Sequence, residues 1–208
     1  MNPEQMFTDE ELELLADSRF FELKASINQK LTNLLGLLAE LLKAEIAMKE
    51  IALHDEVLQS NPKISRGENY KGFPWLVLDY PRVFKQNDVF AFRSLCWWGH
   101  EFSFTLHLSG LYFDAVKKRL PAFLAAFREE QIFIGISDTP WNYYFEKDNY
   151  LLIEELLKQE NDIPDWISHR SFIKISKKTN LQNFSAVPGE ANTFYRMLMG
   201  QLFNKENL

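Results

Sequence analysis

Apolar and polar residues alternate with a period of two in three successive runs, residues 76–84, 89–97 and 100–108. Successive side chains of a strand point to opposite sides, so this period predicts three strands with one face turned inward. Lys85-Gln86-Asn87-Asp88 supplies a four-residue turn between the first two, and Trp98-Gly99 a two-residue hairpin loop between the second and third. Counting through those loops sets Tyr80 opposite Arg93, Arg93 opposite Phe104 and Trp97 opposite His100. Pro81 has no N–H for a ladder and so belongs on an edge strand.

In that register one face carries Leu76, Leu78, Tyr80, Arg82, Phe84, Ala91, Arg93, Leu95, Trp97, His100, Phe102, Phe104, Leu106 and Leu108. The other carries Asp79, Ser94, Cys96, Glu101, Ser103, Thr105 and His107, among Trp75, Val77, Phe90 and Phe92. The first face reads as core, and Arg93 stands out on it, because charge on an apolar face is costly unless paired. Such a guanidinium either pairs with a structural carboxylate, Glu68 or Asp114 being candidates, or clamps an anion with Arg82 and Tyr80 beside it. The short polar side chains of the second face read as a solvated or helix-rimmed surface.

Upstream the period changes to three and four. Thr8-Asp9-Glu10-Glu11 has the spacing of a capping box and opens a short helix over residues 9–16. Asp17 or Ser18 then caps a helical stretch running to about residue 59, with Ile27, Leu31, Leu34, Leu38 and Leu42 among its apolar positions. Unbroken, it would be on the order of 60 Å long, more than a compact body of this size can cover. It therefore breaks, at Gly36 or near residues 28–30, or it projects. Glu45 falls on the seam set by Ile27, Leu34 and Leu41, which argues against a sustained coiled coil. Two readings of the stripe remain: packing on its own domain, or a homodimer through the helical arm. Residues 60–73 are polar and interrupted by Pro62, Gly67 and Gly72, and read as a linker. The chain thus divides into an arm, residues 1–59, and a body, residues 60–208.

Past the third strand, residues 111–130 show a helical pattern broken at Pro121, and residues 132–137 a short apolar strand. Residues 141–145 read as another strand, 148–160 as a helix opened by Asp148, and Ile163-Pro164-Asp165-Trp166 as a turn. Residues 171–176 alternate as a strand, and Pro188 opens a last helix to about residue 203. Strands in a run with helices before and after predict an α+β fold: a long N-terminal helical arm, then an antiparallel meander covered by C-terminal helices. A sheet of about four to six strands is expected.

With 208 residues, 46% of them apolar, the chain can bury a full core, and its 18 Phe predict large side chains packed together. Residues 1–58 hold 12 acidic and 5 basic side chains, whereas the rest holds 17 and 18. An acidic helical region beside a near-neutral body lacks the basic stripe that nucleic acid requires. Lys117-Lys118-Arg119 and Lys174/Lys177/Lys178 read as solvated faces. The single cysteine, Cys96, forms no internal disulfide, which favours a reducing compartment such as the cytoplasm. The first residues show no signal-peptide pattern, and Glu40, Lys43 and Glu45 interrupt the longest apolar stretch, so no membrane association is expected.

The familiar chemistries find little support. His100-Glu101 fails the zinc-helix motif, because Phe104 stands where the second His is needed. His100 and His107 point to opposite faces of one strand, and His54 and His169 have no ligand partner nearby in sequence, so no metal site is expected. There is no Gly-x-Ser-x-Gly elbow, no Walker loop and no Gly-x-Gly-x-x-Gly, and no cofactor is expected. Cys96 lies mid-strand, where a thiolate is not favoured.

Two places remain. Residues 65–75 pack Arg66, Glu68, Asn69, Tyr70, Lys71 and Trp75 into a glycine-hinged loop beside the sheet, and loops on rigid scaffolds often carry function. The other is the inward Arg93. Together they predict a non-catalytic binding or interaction module for a small anionic ligand or acidic partner, held by Arg66, Tyr70, Tyr80, Arg82 and Arg93 with Trp97 as an aromatic wall. The competing reading is an enzyme acting on a small polar substrate, with Glu101, Asp79 or His107 as acid or base.

Overall fold

The computed structural model describes residues 6–48 and 53–204. Helix α1 (Asp9–Ala16) starts on the expected capping box: Thr8 Oγ1 accepts from the Glu11 amide at 3.2 Å, and Glu11 accepts from the Thr8 amide at 2.7 Å. Asp17 then accepts from the Arg19 amide at 2.9 Å, opening α2 (Ser18–Met48). Helix α2 runs unbroken through residues 28–30 and Gly36, where a Cβ would meet only open space. The helical stretch has ended before α3 (Asp55–Leu58), and the joint at residues 49–52 lies outside the described residues.

Among the described residues the sheet has seven strands, one more than the upper expectation, and all their pairings are antiparallel. They are β1 (Lys63–Tyr70), β2 (Phe73–Phe84), β3 (Val89–Trp97), β4 (Glu101–Ser109), β5 (Phe133–Gly135), β6 (Tyr150–Leu152) and β7 (Phe172–Asn180). Their order across the sheet is β1-β2-β3-β4-β7-β5-β6. Strand β1 occupies what the sequence reads as a linker. Its Lys-Ile-Ser-Arg start lacks a clear apolar face because it is an edge strand with only half-buried and exposed positions. Lys71 (φ 52°) and Gly72 (φ 90°) join β1 to β2 in the two-residue turn whose twist suits a hairpin.

The meander is present, but its register departs from loop counting at two points. Phe84 pairs with Val89 and Arg82 with Ala91, as the four-residue turn requires, and then a bulge at Tyr80-Pro81 shifts the ladder so that Asp79 pairs with Arg93. The next hairpin loop has three residues, Trp98-Gly99-His100, with Gly99 at φ 74°, and Cys96 pairs with Phe102. Each departure is one residue, and a one-residue slip turns a strand over. Phe90, Phe92, Ser94 and Cys96 therefore join Leu76, Leu78, Tyr80, Phe102, Phe104, Leu106 and Leu108 on the core face, and Arg93, Leu95 and Trp97 leave it. The slip exchanges a buried charge for two fully buried phenylalanines, each worth about 1.5–3 kcal/mol of burial. Pro81 lies past the last β1–β2 pair, Lys63 with Asp79, where β2 is locally an edge.

The core face is covered by the second half of α2, through Leu35, Leu38 and Leu42, and by α8 (Val187–Leu202). Helix α8 buries Val187, Ala191, Phe194, Tyr195, Leu198 and Leu202 at helical spacing. Of the short helices, α4 (Leu111–Asp114) packs against β4, α6 (Ile153–Gln159) against β5 and β6, and α5 (Leu120–Ala126) against α8 and α7 (Ile163–Ser168). Three sequence expectations fail here: Ile163-Pro164-Asp165-Trp166 opens a helix, residues 141–145 form no strand, and the strand before α6 is β6. No helix among the described residues is long and apolar enough to cross a membrane.

Candidate functional site

The face of the sheet opposite α2, which the sequence reads as a solvated or helix-rimmed surface, is largely buried, beneath a segment that is not helical. The register lines up Asp79, Arg93, Thr105 and Ser176 on four neighbouring strands, and beside them Ala91, His107, Lys174, Gly135 and Tyr150. Residues 136–149, the connection from β5 to β6, fold over these rows and cover them with Tyr143 and Tyr144, both buried.

Arg93 pairs with Asp79, its cross-strand neighbour, rather than with Glu68 or Asp114. Nε reaches Oδ1 at 2.7 Å and Nη2 reaches Oδ2 at 2.9 Å, a two-pronged geometry that holds both groups rigidly. Burial works against the arginine charge, but Tyr143 and Asp79 keep its pKa above the ordinary value. The Tyr143 ring lies 4.6 Å from the Arg93 guanidinium carbon, and Lys174 Nζ lies 5.3 Å from the centre of the same ring. Tyr143 is thus flanked by two cations, one at the cleft and one buried.

Lys174 is fully buried, contrary to the solvated face expected of it. Its ammonium donates to the Asn142 carbonyl and, at 3.4 Å, to Asn149 Oδ1, and it lies 4.6 Å from the Tyr150 ring centre. Burial, then Arg170 and Arg93, push its pKa down to about 7. Arg170 donates to the carbonyls of Ile136 and Ser137 at 2.9 and 2.8 Å, so two cationic side chains fasten the covering segment by its backbone. His107, 1% exposed, touches Trp141 and Phe172 edge-on, and neither ring nitrogen has a hydrogen-bond partner among the described residues. Burial and the two nearby cations push its pKa down to about 3, so it is neutral.

Between this covering segment and the β1–β2 hairpin lies a cleft of about 460 Å³. Its charged lining is Lys63, Arg82, Arg93 and Asp79; its walls include Trp75, Phe84, Trp141 and Tyr143. Asp79 has both oxygens on Arg93. Arg82 is anchored through Nε to the Asn61 carbonyl at 3.1 Å, which leaves its terminal nitrogens without a partner among the described residues. Lys63 is exposed and makes no ion pair among them.

Of the residues named from sequence, Tyr70, Arg82 and Arg93 meet at this cleft. Tyr70 accepts from the Tyr143 amide at 2.7 Å and so ties the covering segment to β1. Trp97 stands behind it, donating to the Tyr70 carbonyl at 3.1 Å and stacked on His100 at 3.5 Å, a prop rather than a wall. Tyr80 stays on the core face, 4% exposed, so that it is parted from Arg82 and Arg93, which line the cleft on the opposite face. Arg66 is exposed and pairs in register with Leu76, so it too points away from the cleft. Sequence reasoning placed Trp75 in a candidate segment but missed Lys63, Phe84, Trp141 and Tyr143. The dense aromatic run 141–145 was the available signal, read as strand.

Of the acid–base candidates, Glu101 lies 3.6 Å from Lys178, Asp79 is held by Arg93, and His107 is covered. Among the described residues no group of three His, Cys, Asp or Glu side chains is placed to hold a metal ion. No family model matches the chain, and neither a curated protein nor a solved structure shows significant similarity to it.

Proposed function

We propose that the protein is a binding module for a small anionic ligand with an aromatic or apolar body, seated in the cleft between the β1–β2 hairpin and residues 136–149. The observation that carries this reading is the charge balance of the lining: three cationic side chains against one carboxylate that is already paired. A carboxylate or phosphate would meet the unpartnered nitrogens of Arg82 and the ammonium of Lys63, while Trp141, Phe84 and Trp75 would take the ligand body. Arg93 would add its field from a position fixed by Asp79. Non-catalytic binding fits better than acid–base chemistry, because Asp79 is tied to a guanidinium and His107 is held neutral beneath Trp141.

Thermal-shift screening against aromatic carboxylates and phosphates tests the reading. A ligand at a hundred-fold excess over its Kd stabilises by about 2.7 kcal/mol, which raises Tm by about 5–10 °C in a chain of this size. Arg82→Met and Lys63→Met should abolish the rise, whereas Arg66→Met on the opposite face should leave it. A screen with no stabilising anion, or a rise that survives Arg82→Met, would count against the cleft.

A further inference from the structure

A second feature stands apart from the cleft, on the other face of the molecule. The apolar stripe of α2 that is buried at Leu35, Leu38 and Leu42 continues toward the N-terminus uncovered, through Ile27, Leu23 and Phe20. Helix α1 buries none of its residues, and Leu12 and Leu15 are open to solvent. A helix of eight residues is marginal in isolation, so a capped one without buried contacts points to an outside partner. Beside this arm, α2, the β3–β4 turn and the segment after β7 enclose an apolar groove of about 630 Å³, lined among others by Ile27, Leu34, Leu37, Trp98, Phe102 and Phe184. Leu37 and Phe184 are 64% and 60% exposed, values that large apolar side chains rarely show without a binding role when clustered.

We propose that this groove takes the N-terminal helical arm of a second copy of the chain, each copy inserting its arm into the other. Ile27 belongs to both the arm stripe and the groove, so the two surfaces are continuous and a two-fold arrangement buries both at once. The part of the chain's own arm that precedes Ile27 does not reach its own groove. Helix α2 is unbroken, and Ser18 lies about 14 Å beyond Ile27 along the axis, directed away. Charge selects arm-in-groove over arm-on-arm pairing. Residues 6–27 carry six acidic and two basic side chains, so two arms repel each other. The groove has Lys30 as its one charged lining residue and no carboxylate among the described residues.

Light scattering and cysteine pairing on the full chain test this. The unsubstituted protein at micromolar concentration should have twice the chain mass. Leu15→Glu in the arm and Leu37→Glu in the groove should each return it to one chain mass with unchanged circular dichroism, since both positions are more than half exposed. In a Cys96→Ala background, since Cys96 itself lines the groove, mixed Leu15→Cys and Leu37→Cys chains should form the mixed disulfide on mild oxidation, with the Cys96→Ala chain alone as control. A monomer at every concentration, or disulfides formed by Leu15→Cys chains with each other rather than with Leu37→Cys, would overturn the proposal.

Discussion

The side chain of Lys174 fills the space a side chain at residue 135 would need. A Cβ on Gly135 would lie 2.7 Å from Lys174 Cε and 3.0 Å from Lys174 Cβ. The two residues sit side by side on β5 and β7, beneath residues 136–149, where the lysine is fully buried. Gly135→Ala should therefore destabilise by about 1–3 kcal/mol through overpacking, and Gly135→Val by more. Urea denaturation measures both. Adding Lys174→Ala to Gly135→Ala should recover part of the loss, because it removes Cε, the atom in closest conflict, although Cβ remains.

The same lysine and its neighbour His107 set a pH dependence. His107 titrates near 3 in the folded protein against an ordinary 6.5, so between those values the unfolded chain binds more protons and stability falls as pH falls. Lys174 titrates near 7 against 10.5, so the unfolded chain again binds more protons in that window. Stability should rise with pH from about 7 toward 10 on account of Lys174, and be lost between about 6.5 and 3 on account of His107. Thermal denaturation across pH 3–10 should show His107→Leu flattening the acid limb and Lys174→Met the alkaline one. Limbs of unchanged slope in these variants would show that other groups govern the profile.

The fold class was legible from sequence because alternation and helical spacing report burial directly: Leu38, Leu42 and Phe104 all lie where periodicity puts them. The two sides of the meander were not, because Asp79 faces Arg93 only after a bulge at Tyr80-Pro81, and loop counting carries no sign of an inserted residue. Loop counting puts the charge of Arg93 on the core face. The fold removes it to the other face, and the anomaly that persists is Lys174, set in an equally apolar strand but read with its neighbours as a basic surface. Tyr70 and Arg82 were found because they lie near chain features the sequence marks. Trp141 and Tyr143 were not, since only tertiary folding lays residues 136–149 across β3 and β4.

Asp79 and Arg93 give a direct measure of what the register achieves. Removing the carboxylate in Asp79→Ala leaves a largely buried guanidinium without its partner, at a cost of about 3–5 kcal/mol. Arg93→Met leaves the Asp79 carboxylate without its partner and, since that side chain is the more buried of the two, should cost a comparable amount. The double variant Asp79→Ala/Arg93→Met should be more stable than Asp79→Ala alone, since no unpaired charge remains. A double-mutant cycle by urea denaturation yields the coupling, and additive losses would mean that the pair does not interact as the geometry requires.

Tyr70 links the covering segment to the sheet, and its hydroxyl is the one side-chain group of β1 that holds the Tyr143 amide. In Tyr70→Phe that amide loses its acceptor while the ring keeps its edge-on contact with Trp97, 5.2 Å between centres. The loss should be about 1 kcal/mol and local, because Lys174 and Arg170 still hold the carbonyls of Asn142, Ile136 and Ser137. Hydrogen exchange should then accelerate at Tyr143 and its neighbours while the amides of β3 and β4 keep their protection. Proteolytic cleavage within residues 136–149 should quicken in parallel. If exchange at Tyr143 were unchanged, the segment would be held by the cationic side chains alone, and the hydroxyl would serve only to complete a buried hydrogen bond.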